Sequence, residues 1–319
     1  MSGVSPDEGT VRRILEGALR APSAHNAQPW RLSDLGGNRY LIWYAYADKL
    51  LADPDDRDGL LAMGGFFETL RLCTQREGFD ALLDFKVERH DAGITLGTVS
   101  LAALDGPPDP LAAAIDKRRC NRFPYERGPL PAGLAADLEA QGNILLPARS
   151  LEGLVARASV MSWQDRRFVT DVGEWTRFDD SSPDGMTFEC LRVSRWDAFW
   201  LRVALRLGRL PWWLARIYAQ RDVWLTRNSG AMCVLTVDSR TEEELFDCGR
   251  RLIRSWTLLN ASGYAWHPMS VLIDQPTVDA LRRMIAGRDP VAIYRAGFTP
   301  QLAAVSKRRA LDRVLAATP

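Results

Sequence analysis

Histidine and cysteine are scarce in this 319-residue chain, and neither is grouped. The three histidines, His25, His90 and His267, lie far apart, which argues against a histidine-rich metal site. The five cysteines, Cys73, Cys120, Cys190, Cys233 and Cys248, are odd in number and contain no CxxC pair. That argues against a disulfide framework or a zinc site and for a reducing compartment. No GxGxxG occurs, so a dinucleotide would not be held by a Rossmann unit. Charge bias is missing too: 41 Lys plus Arg stand against 40 Asp plus Glu, so no general attraction to nucleic acid or an acidic membrane is suggested. No apolar run approaches the roughly 20 residues that span a bilayer. Met1 to Thr10 has no apolar h-region, with Asp7 and Glu8 acidic where a secretion signal would be basic. A soluble, cytoplasmic protein is expected, without a catalytic triad, a carboxylate pair or a metal motif.

The chain is long enough for one large or two small domains with a sizeable core. Ser5-Pro-Asp-Glu8 reads as a capping box opening a helix through Leu19. Tyr40 to Tyr46 reads as a strand buried on both faces. Asp53 to Asp58 is a polar turn, and Leu60 to Glu77 is helical. Leu82 to Arg89 and Ile94 to Leu101 read as strands joined at His90–Gly93. Asp105-Gly-Pro-Pro-Asp-Pro110 is the clearest break, dividing the chain into 1–108 and 109–319. A helix Leu111–Arg118 then runs into Lys117-Arg-Arg-Cys-Asn-Arg122. Later elements are Ala231–Val237 (strand), Glu242–Ala261 and Thr277–Ile285 (helices) and Val291–Phe298 (strand).

Around Ala21-Pro-Ser-Ala-His-Asn-Ala-Gln-Pro-Trp-Arg31 the chain is organised differently. Pro22 and Pro29 end the preceding helix and hold their predecessors extended. Ser23 and Asn26 can bond their own backbone or a ligand. This stretch closely resembles the APSxxNxQPW signature of the FMN-dependent nitroreductase superfamily. The resemblance implies an α+β fold of mixed or antiparallel sheets covered by helices, with FMN as cofactor. It places Pro22, Ser23, Asn26 and Gln28 along the flavin. The cluster at 117–122 resembles the RRSxR-type element that grips the FMN phosphate, which implicates Arg118, Cys120 and Arg122. Cys120 stands where the family usually has serine, and a thiol donates more weakly. Ser306-Lys-Arg-Arg309 resembles the closing basic motif, adding Lys307 and Arg309. Gly263 to Ser270 matches the segment beside the flavin, adding Pro268, Met269 and Ser270, while the side chains of Tyr264 and Met269 read as packing. His267 reads as a proton donor or as a satisfied buried histidine.

The order of these motifs is inverted relative to the family, with the loop before the basic element and only one of each. Gly64 to Phe79 and Gly249 to Tyr264 share glycine spacing and a terminal aromatic. Together these resemble the Acg-like subfamily, in which one chain imitates a homodimer. That implies an internal pseudo-dimer, monomeric, with one complete flavin site. Ser194 caps a helix carrying Trp196, Phe199, Trp200, Val203 and Leu207, ended by Gly208, and Pro211 starts another. Seven arginines (Arg195, Arg202, Arg206, Arg209, Arg216, Arg221 and Arg227) accompany them. The segment at about 181–227 reads as a helical lid over the flavin, as core packing, or as a membrane-surface element. The function implied is an oxidoreductase acting on a small organic substrate with NAD(P)H as donor; the alternative is a flavin-storing protein with a closed lid.

Overall fold

The computed structural model describes residues 5–319. In the first part of the chain α1 (Glu8–Ala18) precedes β1 (Trp30–Asp34) and β2 (Arg39–Ala45), followed by α2 (Arg57–Arg76), β3 (Phe79–His90) and β4 (Gly93–Ala103). The strands form an antiparallel sheet in the order β1-β2-β4-β3. Then come α3 (Ala132–Ala140), β5 (Asn143–Leu146), α4 (Glu152–Ser162), α5 (Arg166–Trp175), β6 (Thr176–Arg177) and β7 (Met186–Thr187). They lead to α6 (Phe188–Leu191), α7 (Arg195–Leu207), α8 (Trp212–Arg227), β8 (Ala231–Val237) and α9 (Glu242–Ala261). The chain closes with β9 (Ala265–Pro268), α10 (Val271–Asp274), α11 (Val278–Met284) and β10 (Asp289–Gly297). The second antiparallel sheet runs β5-β8-β10-β9.

The two sheets repeat one another. Helix, strand, strand, helix, strand, strand recurs as α3, β5, β8, α9, β9 and β10, with the same strand order. The additions in the second copy are α4 to α8 between β5 and β8, and α10 and α11 between β9 and β10. Both α2 and α9 have 20 residues, and the eighth of each is a glycine. Each is followed two residues later by a left-handed glycine, Gly78 at φ 84° and Gly263 at φ 79°.

These helices pack on each other between the sheets at a distance that only glycine permits. A Cβ on Gly64 would lie 1.8 Å from the Phe246 carbonyl oxygen, and one on Gly249 would lie 2.2 Å from that of Leu61. The contact is reciprocal: each glycine meets the backbone three residues before the other. One continuous core runs through this crossing, from Val11 and Ile14 through Phe66 and Leu70 to Phe246, Ile253 and Tyr294. The tail then returns to the first sheet, where the Leu32 N–H donates to Val314 O and the Ala316 N–H to Leu32 O, at 3.1 and 2.9 Å.

Several local expectations shift. Asp7, not Ser5, caps α1, because its carboxylate reaches the Thr10 N–H at 2.8 Å. The helix expected at Leu111–Arg118 is a 3-10 turn, Ala112–Lys117, too short to gain from α-helical cooperativity. The α7 stripe is turned the other way from the burial that its periodicity implies. Ala198, Leu201 and Ala204 face inward, while Trp196, Phe199 and Leu207 are 63, 52 and 62% exposed. Ser194 with Asp197 does form the capping box, and Gly208 ends the helix at φ 66°.

Replacing Gly64 by alanine should therefore destabilise the protein, by about 1–3 kcal/mol or more, since the helices must separate. The control is Gly153 in α4, where a Cβ meets nothing within 4 Å. There alanine should be neutral or stabilising by up to about 1 kcal/mol. Urea unfolding of both variants tests this, and equal midpoints would show that the crossing tolerates a methyl group.

Candidate functional site

Between α2 and α9 on one side and α5 to α8 on the other lies a cavity of about 500 Å³. That falls within the roughly 300–1,000 Å³ of small-molecule sites. Its walls are mostly apolar, including Leu201, Leu225, Ile253 and Trp256. The Trp256 and Trp266 rings stack 3.8 Å apart within 5° of parallel, and the Trp266 Nε1–H donates to Asn260 Oδ1 at 3.0 Å.

The loop after α1 forms one end. His25, Asn26 and Gln28 all have positive φ, 51°, 56° and 55°. For non-glycine residues that conformation persists only where surrounding contacts over-determine it. Here they do. Ser23 Oγ accepts from the Gln28 N–H at 2.9 Å, and Gln28 Nε2 donates to Pro183 O at 2.9 Å. Gln28 Oε1 accepts from the Arg309 N–H at 2.9 Å. Asn26 Nδ2 donates to Gly185 O at 3.0 Å and Lys307 O at 3.3 Å. The loop is thus pinned to the start of the α6–α8 segment and to the C-terminal tail.

At the same end stand Arg20, Arg118 and Arg308, which all line the cavity. Arg118 is buried and donates to Arg20 O, while its Nε has no partner. Arg308 donates to Ala21 O at 3.0 Å and Ser306 Oγ at 2.7 Å. Every partner of these two guanidiniums among the described residues is an uncharged oxygen. Burial, then repulsion from Arg20, lowers Arg118 to a pKa of about 10. Burial, then Arg118 and Arg20, lowers Arg308 to about 9. A buried arginine beside two half-buried ones, with no carboxylate partner among the described residues, is costly by itself, so the arrangement suits an anion with several oxygens. Arg122 also reaches the cavity and donates to Cys190 O at 3.1 Å.

Pro22, Ser23, Asn26, Arg118, Cys120, Arg122, Pro268, Met269 and Ser270 are brought together on the cavity wall. Gln28, Lys307 and Arg309 are not. Gln28 is fully buried and used up by the tail and residue 183, and Lys307 is exposed. Arg309 forks onto Asp48, at 3.0 Å through both terminal nitrogens, and onto Asp184 at 2.9 Å. Two carboxylates compete for it, whereas neighbouring Arg308 has none. The motif at 306–309 is therefore on the site through Arg308, a residue that reasoning from sequence passed over by one position. The Met269 N–H is held by Ile293 O at 2.9 Å, and its side chain belongs to the core under β8 and β10.

His267 faces the cavity, and its Nδ1 accepts from Arg295 Nε at 3.1 Å. That bond assigns the ring proton to Nε2. Burial first, then Arg295 and Arg122, holds its pKa well below the usual histidine value. It is a neutral hydrogen-bond donor here and a poor source of protons. Asp222, which the sequence did not single out, also lines the cavity. It accepts from Ser159 Oγ at 2.7 Å, and burial raises its pKa. The segment 181–227 supplies the opposing wall through Met186, Cys190, Leu201, Tyr218 and Leu225. It is not merely laid on top, because α8 packs against α4 and contributes buried Val223 to a second core.

No family model matches the sequence. Rv3131 of Mycobacterium tuberculosis H37Rv, which carries the provisional name NAD(P)H nitroreductase, is 30% identical over 180 residues. The match covers 54% of this chain and 52% of Rv3131, so the chain spans about half the length of that relative. PigM of Serratia sp. ATCC 39006, also provisionally named NAD(P)H nitroreductase, is 24% identical over 348 aligned positions, 98% of this chain and 94% of PigM. Among solved structures, a provisionally named nitroreductase of Anabaena variabilis ATCC 29413 shares the fold with a TM-score of 0.51. It is 10% identical, over 92% of this chain and 90% of that one. With its signature loop on the wall of the central cavity, this chain has the nitroreductase fold and is similar in sequence to proteins provisionally named NAD(P)H nitroreductases.

Proposed function

We propose that the cavity holds FMN and that the protein is an FMN-dependent oxidoreductase of nitroreductase type, with NAD(P)H as electron donor and a small organic substrate. The observation that carries this is the Arg20–Arg118–Arg308 cluster at the end of an apolar cavity, three cations that, among the described residues, have no carboxylate partner and of which Arg118 keeps an unpartnered Nε. Arginine forks match phosphate oxygens, and a phosphate there would relieve their mutual repulsion. Bound there, FMN would supply hydride and electron transfer. The chain's own part is to bind, orient and exclude water. Trp256, Ile253, Leu201 and Leu225 keep the cavity dry, and His267 offers an Nε2–H donor whose tautomer Arg295 holds. The nitroreductase names of Rv3131 and PigM support the same reading.

Residues 1–108 and 109–319 are read as two nitroreductase-like halves of an Acg-like pseudo-dimer, with 181–227 as the lid. The repeated element order and the reciprocal glycine crossing support it. A monomer with about one FMN per chain follows. The closeness of α7 and α8 to the cavity favours a second reading, a flavin-storing protein that does not turn over.

Two outcomes are expected. Alanine at Arg118 or Arg308 should weaken FMN binding about tenfold to a hundredfold, since charge-assisted bonds contribute about 1.5–3 kcal/mol each. Alanine at Arg309 should instead loosen the tail and lower thermal stability, with a smaller loss of FMN. Equilibrium titration of apoprotein and a melting curve separate the two, and equal affinity in all variants would remove the cluster from the site. Rapid mixing of the flavin-loaded protein with NADPH or NADH should bleach the flavin absorbance; a flavin that stays oxidised would favour storage.

A further inference from the structure

The outer face of α7 and α8 is apolar, aromatic and open to solvent. Trp196, Phe199, Leu207, Trp212, Trp213 and Ile217 are each 51–63% exposed. They are not scattered. Trp196, Phe199 and Trp200 lie 5.2–6.2 Å apart ring to ring, and Trp200 meets Trp213 at 5.5 Å, which joins the two helices into one patch. A contiguous apolar surface of this kind on a folded chain marks an interaction site.

The exposed charge that α7, α8 and their connection carry on this face is arginine. Arg202, Arg206, Arg209 and Arg216 are exposed. Arg216 lies over the Trp212 ring at 4.9 Å, and Arg202 over Phe178 at 4.6 Å. Only two carboxylates belong to these helices, and neither is available outside. Asp197 accepts from the Ser194 N–H, the Ser194 hydroxyl and the Tyr218 hydroxyl, and Asp222 faces the cavity with Ser159. A chain with no overall charge bias thus sets four exposed arginines, none of them ion-paired among the described residues, beside this aromatic patch.

We propose that this face docks on an anionic phospholipid bilayer, with the rings in the headgroup region and the arginines on lipid phosphates. Amphipathic helices with Trp, Phe and Leu on one face and arginine beside them bind membranes in this way. Charge complementarity selects this occupant. Pairing with a second copy would set arginines against arginines, and a neutral bilayer would leave them without partners. No helix among the described residues is long and apolar enough to cross a membrane, so the contact is peripheral. The inner faces of the same helices line the cavity through Ala198, Leu201 and Tyr218, so docking sets the cavity wall against the bilayer.

Co-sedimentation of the full chain with phosphatidylcholine vesicles, with and without phosphatidylserine, tests this. Binding should appear with phosphatidylserine and fall with added salt. The double variant Arg206→Glu, Arg209→Glu and the double variant Trp196→Ser, Phe199→Ser should each lose about tenfold or more in vesicle affinity. All four residues are exposed and none lines the cavity. FMN content should therefore match the parent, which keeps this result separate from the flavin reading. Absence of binding to phosphatidylserine vesicles overturns the proposal, as does equal binding to both vesicle types. A dimer dispersed by the Trp196→Ser, Phe199→Ser variant in sedimentation equilibrium overturns it in favour of a second copy.

Discussion

The frame of this molecule is set by the crossing of α2 and α9. Gly64 and Gly249 let each helix touch the other's backbone, and both sheets hang outward from that contact. The same approach places Leu61 and Ala62 of one helix and Leu252 and Ile253 of the other on a shared cavity wall. Beside it, buried Glu68 accepts from Arg71 at 2.7 Å and from Arg254 at 2.9 Å. Asp109 meets the same two arginines at 3.0 and 2.6 Å. Dispersion and backbone proximity set the distance; the ion network sets which residues face each other. A buried network of this kind specifies an arrangement more than it adds stability.

From that frame the site is assembled by segments far apart in sequence. Arg20 lies just past α1, Arg118 follows a 3-10 turn after the first sheet, and Arg308 arrives with the tail after the second. The tail reaches the first sheet because Leu32 on edge strand β1 has its N–H and carbonyl free for Val314 and Ala316. The signature loop acts as the clasp. Its Asn26 and Gln28 side chains bond backbone at 183–185 and 307–309, and those bonds hold three left-handed residues in place.

The α4–α8 excursion divides its labour by face. Inward residues complete the cavity and bind α4, while outward tryptophans pack on one another and on arginine. Helical periodicity identifies a stripe but not the direction in which it points. A large aromatic stripe is ordinarily the buried one, and here the small residues Ala198 and Ala204 take that place.

Sequence by itself determined the elements whose signals are local. Glu242–Ala261 and Ala231–Val237 appear at the residues expected, and so do the Ser194 capping box and the Gly208 stop, because caps, periodicity and glycine conformations act within a few residues. The APSAHNAQPWR spelling likewise carried the resemblance to nitroreductases and with it the fold. Tertiary structure alone decided the rest. β1 and β5 are short strands that exist through their partners, and no periodicity announces them. Whether Arg308 or Arg309 serves the cavity depends on Asp48 and Asp184, which are more than 100 positions away and compete for the second guanidinium. The pKa of Asp222 is raised by burial against the pull of Ser159 on α4, and that of His267 is lowered by burial and then by Arg295 and Arg122 on other segments. A residue's charge, partner and direction are properties of its surroundings, and only folding creates those.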